Sequence, residues 1–224
     1  MVHTPGGAPS SHAPPAVRGW ALGPFETNCY VVAAAGTTDC WIIDPGLGPG
    51  EVIDAVRRDG LGPVAIILTH AHLDHVAGVP DMLRAFPGVP IIGHETERDW
   101  PGDPELNLSG GYGFPISVPG ATKFVADGDS LRIGADNWRV IHTPGHSPGG
   151  ITLYNPAAGV AIVGDTLFAG SIGRSDFPGS DEATLHSSIR ERLYTLPDTT
   201  RVLPGHGPET TIGREKRANP FVRP

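Results

Sequence analysis

Cysteine is nearly absent from this chain: Cys29 and Cys40 are the only two among 224 residues. Two cysteines build no disulfide framework. Both fall in strand-like segments, where a buried, reduced thiol is expected. Basic charge is also scarce, with 16 Lys and Arg against 24 Asp and Glu, a formal charge of −8. That balance offers no broad basic face, so neither nucleic acid nor a membrane surface is an expected partner. Apolar runs are short, and none reaches the ~18 residues that span a bilayer. Residues 1–15 are rich in Pro, Gly, Ser and Ala. They lack a charged stretch followed by an apolar one, so they are read as a loose tail and not as a secretory signal. These absences predict a cytoplasmic protein.

Glycine (31) and proline (24) are plentiful, and 39% of residues are hydrophobic. This is the composition of a globular chain with many turns, too apolar for disorder. The length suits one domain, 16–224, after the tail. Short β-branched runs predict strands at 17–22, 28–34, 40–44, 64–68, 89–93, 123–125, 130–133, 138–141, 151–154, 160–164 and 200–203. Helical spacing predicts helices at 51–58, 79–86 and 181–196, the last with Leu185, Ile189, Leu193 and Leu196 on one stripe. A short basic helical turn follows at 212–217. Periodicity is lost between 94 and 120, which reads either as a substrate-facing lid or as a plain surface loop. The succession predicts two packed sheets with helices outside, a layered α/β architecture.

The chain is organised around Thr69-His70-Ala71-His72-Leu73-Asp74-His75. Four side chains able to bind a transition metal fall within six residues, where a predicted buried strand ends. His70 and His72 are two apart, so they share a face only on extended backbone. Asp74 and His75 follow a change of direction. The spacing suggests two ligands for one metal and two for a second nearby, as in two-metal sites. Three later strand ends carry further donors: His146 in the turn Thr143-Pro144-Gly145-His146, Asp165 after Val163-Gly164, and His206 in Pro204-Gly205-His206-Gly207. In layered α/β folds, sites collect outside the carboxyl ends of strands. His142 is assigned a structural role and His94 a packing role. His3, His12 and His186 are bystanders, and Cys29 has no adjacent base in sequence.

These residues carry a resemblance to the metallo-β-lactamase superfamily, whose fold is a four-layer αββα sandwich. Within it the chain is most similar to short glyoxalase-II-like hydrolases. The matching pieces are Thr-His-Ala-His-Leu-Asp-His at 69–75, His-Thr-Pro-Gly-His-Ser-Pro-Gly at 142–149, Gly-Asp-Thr-Leu-Phe at 164–168, Gly-Arg-Ser-Asp-Phe-Pro at 173–178, Pro-Gly-His-Gly at 204–207 and Asn-Pro-Phe at 219–221. The resemblance implies that His70, His72 and His146 bind one metal, that Asp74, His75 and His206 bind a second, and that Asp165 bridges them. Two divalent ions are implied, zinc by default, with iron or manganese also suited to mixed nitrogen and oxygen donors. Asp44 and Thr69 are implied supports behind the ligands, Asp44 orienting a histidine. Asp44 reads equally well as a turn residue before Pro45-Gly46.

The activity implied is hydrolysis of a thioester or ester, such as an S-acyl or S-lactoyl glutathione, by a metal-bound hydroxide. Asp74 would assist proton movement, and Asp165 would hold both metals. Longer glyoxalase II enzymes grip glutathione with a further helical domain, which is not expected in a sequence that ends at Pro224. They also use a tyrosine where Asp176 stands, and another where Pro208 stands. Arg174 matches their basic position. It would bind a substrate carboxylate, or else form an internal ion pair with Asp176 or Asp181. Two rivals differ in class: a mononuclear iron persulfide dioxygenase using His70, His146 and Asp165, and a non-catalytic metal-binding module. Phosphodiester and β-lactam substrates are disfavoured by the acidic charge and by the lack of a visible export signal.

Overall fold

The computed structural model describes residues 13–224. Most of the expected tail, with His3 and His12, lies outside the described residues. Two six-stranded sheets form the centre. The first runs in chain order, β1 (Ala16–Leu22), β2 (Thr27–Ala33), β3 (Asp39–Ile43), β4 (Gly62–Ile67), β5 (Ile91–His94) and β6 (Lys123–Val125). Strands β1 to β3 are antiparallel, while β3 to β6 are parallel neighbours. The parallel crossovers carry helices α1 (Gly50–Arg58), α2 (Leu73–Val76) and α3 (Val79–Ala85), as such connections require.

The second sheet contains β7 (Ser130–Ile133), β8 (Asp136–His142), β9 (Ile151–Asn155), β10 (Val160–Gly164), β13 (Arg201–Pro204) and β14 (Thr210–Thr211). Its pairings are antiparallel except β10 with β13. A ribbon of β11 (Leu167–Phe168) and β12 (Ser171–Ile172) stands apart. Helices α4 (Glu182–Ser187) and α5 (Ile212–Ala218) cover this sheet.

The period-2 alternation of strands sorts the apolar residues into three layers of packing. Val32, Trp41, Ile43 and Ile67 meet Trp138, Val140, Leu153 and Ile162 between the sheets. Trp41 and Trp138 touch edge to face, ring centres 6.0 Å apart. The opposite faces of the same strands turn outward: Val31, Ile42 and Ile66 pack on Val52, Val56 and Met82. On the far side Ile141, Ala161 and Val163 pack on Leu185, Ile189 and Ile212. Central strands buried on both faces are why 40–43 and 65–68 read as unbroken apolar runs. The architecture is the expected αββα sandwich.

One expectation needs correction, and one segment carries more order than its lost periodicity shows. The helix expected over 181–196 is not uniform. Asp181 caps α4 by accepting a hydrogen bond from the Thr184 N–H at 2.7 Å, and then a π-helical stretch runs over Ser188–Leu193. The wider turn buries Ser188, Ile189, Leu193 and Tyr194 together, while Ser188 Oγ donates to the Pro144 carbonyl at 2.7 Å. Sequence periodicity gives no sign of one added residue per turn. The segment 94–120 is likewise more ordered than its lost periodicity implies. Its 3-10 turns Glu95–Glu97, Trp100–Gly102 and Gly110–Tyr112 are too short to generate a period. Buried Asn107 pins it, with Nδ2 donating to the Pro101 and Ile116 carbonyls and its own carbonyl accepting from the Leu73 N–H.

Candidate metal centre

The site forms where parallel strands end. Chain direction reverses at Asp44 after β3, at Thr69 after β4, at Asp165 after β10 and at Gly205 after β13. The glycines beside these ends are needed for space. A Cβ on Gly205 would stand 2.8 Å from the His75 ring and closer still to the Asp165 carboxylate.

His70, His72 and His146 form one group, Asp74, His75 and His206 another, and His70, His75 and Asp165 a third between them. Within each group the candidate donor atoms lie within 4.8 Å of one another. His72 Nδ1 is 2.9 Å from His146 Nε2. The Asp165 carboxylate spans the groups, with Oδ1 3.4 Å from His75 Nε2 and Oδ2 3.5 Å from His146 Nε2 and 3.4 Å from His206 Nε2. Asp74 Oδ2 is 3.0 Å from His206 Nε2 and 3.5 Å from His75 Nε2. Four donors at about 2.0–2.2 Å around one tetrahedral cation sit roughly 3.3–3.6 Å apart, close to this spacing.

The rings are held from behind. His75 Nδ1 lies 3.0 Å from Asp44 Oδ2, His146 Nδ1 donates to the Arg174 carbonyl at 2.8 Å, and His206 Nδ1 donates to the Phe25 carbonyl at 3.0 Å. His70 Nδ1 is 3.2 Å from Thr69 Oγ1. Such contacts leave the opposite nitrogen bare and aimed inward. Among the described residues, the buried Nε2 atoms of His70 and His75 and Oδ1 of Asp165 have no hydrogen-bond partner, while His72 turns its Nδ1 toward His146. Buried polar atoms are almost always satisfied, so a cluster of orphaned donors facing one point fits a cation.

Protonation follows from burial and neighbours. Burial pushes His70 well down and His72 down to about 3, with neighbouring imidazoles adding to the effect. Burial also dominates the lowered value of His146. His206 is pulled the other way, to about 9: burial lowers it, but Asp165 and Asp74 outweigh that. Burial raises Asp74, yet His75, His206 and the Thr27 hydroxyl together bring it down to about 2. Burial lowers His75 as well, but the carboxylates Asp74, Asp165 and Asp44 outweigh it and raise that ring. Three neutral imidazoles, His70, His72 and His146, thus stand beside two that the carboxylates hold protonated, and a divalent metal would take the place of those protons.

Asp44 and Thr69 form one support. Asp44 adopts a left-handed backbone (φ 51°). Its Oδ1 accepts from the Thr69 N–H at 2.7 Å, and its Oδ2 accepts from Thr69 Oγ1 at 2.6 Å. It is thus both the turn residue and the brace of His75. Arg174 pairs with Asp176, its Nε and Nη2 donating at 2.9 and 2.8 Å; Asp181 is the helix cap instead. His94 and His142 stack face to face, 4.2 Å apart, away from the cluster. His186 lies by Glu182. Both cysteines are buried and reduced, and burial pushes Cys40 up to about 12.

Sequence reasoning missed Glu97. This carboxylate is 5% exposed, yet it accepts the Ala71 and Gly149 N–H groups, each at 2.7 Å. It ties the His70–His72 loop to the His146 loop. In sequence it sits in the acidic stretch Glu95-Thr96-Glu97, which looks solvated. Its position just past β5, a parallel strand's carboxyl end, was the available signal. Thr27, which donates to Asp74 Oδ2 at 2.7 Å, carried no sequence signal.

A cavity of about 380 Å³ opens over the donors, lined by His72, Asp74, His146, Asp165 and His206 below and by Phe25, Tyr112, Phe168 and Phe177 around them. No helix among the described residues is long and apolar enough to cross a membrane.

Comparison with known proteins agrees with this architecture. The family model of the metallo-beta-lactamase superfamily matches residues 22–206. A probable metallo-hydrolase of Bacillus subtilis, YqgX, is 41% identical over 92% of this chain and 96% of its own. The hydroxyacylglutathione hydrolase GloC of Haemophilus influenzae is 36% identical over 88% and 93%. Among solved structures, the BLEG-1 B3 metallo-beta-lactamase superposes with a TM-score of 0.88 at 41% identity, covering 92% of this chain and 99% of that one. TTHA1623, solved in a di-iron-bound form, gives 0.80 at 39%, covering 92% and 100%. ETHE1 from Myxococcus xanthus gives 0.76 at 26%, covering 92% and 84%. The chain belongs to the metallo-beta-lactamase superfamily.

Proposed function

We propose that this protein is a two-metal hydrolase that cleaves thioesters of small thiols, a glyoxalase-II-like reaction in which water and an S-acyl thiol give a carboxylic acid and the free thiol. The observation that carries the reading is the convergence of seven donors into two groups sharing Asp165. His70, His72 and His146 would hold one ion, and Asp74, His75 and His206 the other. Bound there, divalent cations supply Lewis acidity, which activates water and polarises a carbonyl. Zinc is the proposed metal on donor type, and the di-iron form of TTHA1623 makes iron the alternative.

The chain's own residues serve three further tasks. Asp74 lines the cavity and stays ionised, so its carboxylate can receive a proton from water and return it to the departing sulfur. Thr27 and His206 fix that carboxylate. Trp100 and Phe177 pack against the His72 ring, 5.8 and 5.6 Å away, and exclude bulk water from that side. Neither thiol is placed to act as a nucleophile, so no acyl-enzyme is expected.

The likeness to GloC supports the thioester over other acyl substrates. A one-iron dioxygenase would need only His70, His146 and Asp165, and would leave Asp74, His75 and His206 without a purpose. Metal analysis of purified protein, with a panel of thioesters and esters that includes S-lactoylglutathione, tests the reading. Two metals per chain and thioester turnover are expected. Oxygen uptake with a persulfide, at one iron per chain, would replace the hydrolase by the dioxygenase.

A further inference from the structure

The wall of the cavity differs from its floor. It is built from Phe25, Leu108, Tyr112, Phe168, Ile172 and Phe177. Phe177 stands 5.6 Å from the His72 ring, and Phe168 stands 6.0 Å from the His206 ring, so an aromatic face flanks the donors on each side. Phe25 and Tyr112 meet edge to face at 5.2 Å. Phe25 is fixed by its carbonyl, which accepts from His206 Nδ1. Tyr112 is 46% exposed, a large ring left at the rim.

Cations are nearly missing from this wall. Arg174 is the one Lys or Arg lining it. Its guanidinium is already engaged, donating two hydrogen bonds to Asp176 and lying 4.1 Å over the Phe177 ring. A carboxylate entering here would leave water for an apolar surface without a free partner, which is unfavourable. It would have to displace Asp176 to reach the guanidinium. A neutral, apolar or planar group meets instead four aromatic faces. The volume, about 380 Å³, lies at the small end for ligand pockets, so recognition is confined to the acyl group and the nearer part of the thiol.

We infer that the thiol arm of the substrate is neutral and largely apolar, and that an arm bearing free carboxylates, as glutathione does, is the poorer fit. This rests on the thioesterase reading above and narrows it. The aromatic wall selects the arm, and the Arg174–Asp176 pair acts as a guard that lowers affinity for anions.

Two thioesters with the same acyl group test it: S-lactoyl-N-acetylcysteamine, whose arm is neutral, and S-lactoylglutathione. The metal-replete protein is expected to show a kcat/KM at least tenfold higher for the neutral arm. Titration calorimetry with the S-benzyl thioethers of the same two thiols should show at least fivefold tighter binding of the neutral one. Asp176→Asn frees Arg174 and should raise the glutathione-to-neutral ratio about twofold to fivefold, the range an exposed ion pair commands. Tyr112→Ala should weaken the neutral substrate through KM. A preference for the glutathione arm, or a ratio unmoved by Asp176→Asn, overturns the inference and leaves the hydrolase intact. No turnover of either thioester, with the neutral thioether still bound more tightly, overturns the hydrolase and upholds the preference.

Discussion

The floor and the wall of one cavity are built by opposite rules. On the floor four of the five rings, those of His70, His75, His146 and His206, are held from behind by Thr69, Asp44 or a main-chain carbonyl. The residues there are polar or charged and buried or partly buried. The wall is made largely of aromatic side chains on loops, a 3-10 turn and the small β11–β12 ribbon, outside the two main sheets, and its one cation is exposed. The difference teaches where chemistry and where selectivity reside. On the proposed reading, reaction type would be set by strand ends that the two sheets lock in place, and substrate choice by wall residues that can change without disturbing them.

Substitutions on the floor should sharpen this contrast most. His72→Ala or Asp165→Ala removes a donor and should take turnover below detection while circular dichroism shows the fold kept. Metal removal comes next. Anything that binds only the native state at a thousand times its Kd stabilises by about 4 kcal/mol, roughly 8–16 °C for a chain of this size. Chelation should lower Tm by that amount, and readdition of the metal should restore it. Asp44→Asn loses the charge behind His75 and should cost about 10- to 100-fold in metal affinity or activity, read by competition with a chromophoric chelator. Glu97→Gln leaves one of two buried N–H groups poorly paired. It should cost about 1–3 kcal/mol of stability and loosen metal binding, because it joins two donor loops. The smallest effect belongs to the wall. Phe168→Ala should change KM several-fold and leave metal content at the wild-type value. If wall substitutions emptied the metal site, the division would be broken.

How much of this was legible from residues alone follows the same divide. The four layers were readable because both faces of the central strands are buried, which leaves runs such as Cys40-Trp41-Ile42-Ile43 with no polar interruption. The candidate donors were readable as a set because histidine and aspartate beside glycine at strand ends are unusual, and the fold brings all seven side chains together. Glu97 was not readable. A buried acid satisfied by two main-chain N–H groups looks, in sequence, like any solvated glutamate. The π-helical turn at Ser188–Leu193 was hidden because its stripe still fits an α-helical period over so short a span. The order within 94–120 was hidden because Asn107 supplies it through side-chain to main-chain bonds and not through periodicity. For Arg174 the residues allowed either a substrate contact or an ion pair, and only the fold places Asp176 against it.

The most direct test of the central claim is metal stoichiometry with site assignment: elemental analysis of the purified protein, followed by a crystal structure with anomalous data at the metal edge. The account predicts two ions per chain, one among His70, His72 and His146, one among Asp74, His75 and His206, and the Asp165 carboxylate touching both. A single ion, or ions held away from Asp165 in active protein, would contradict it.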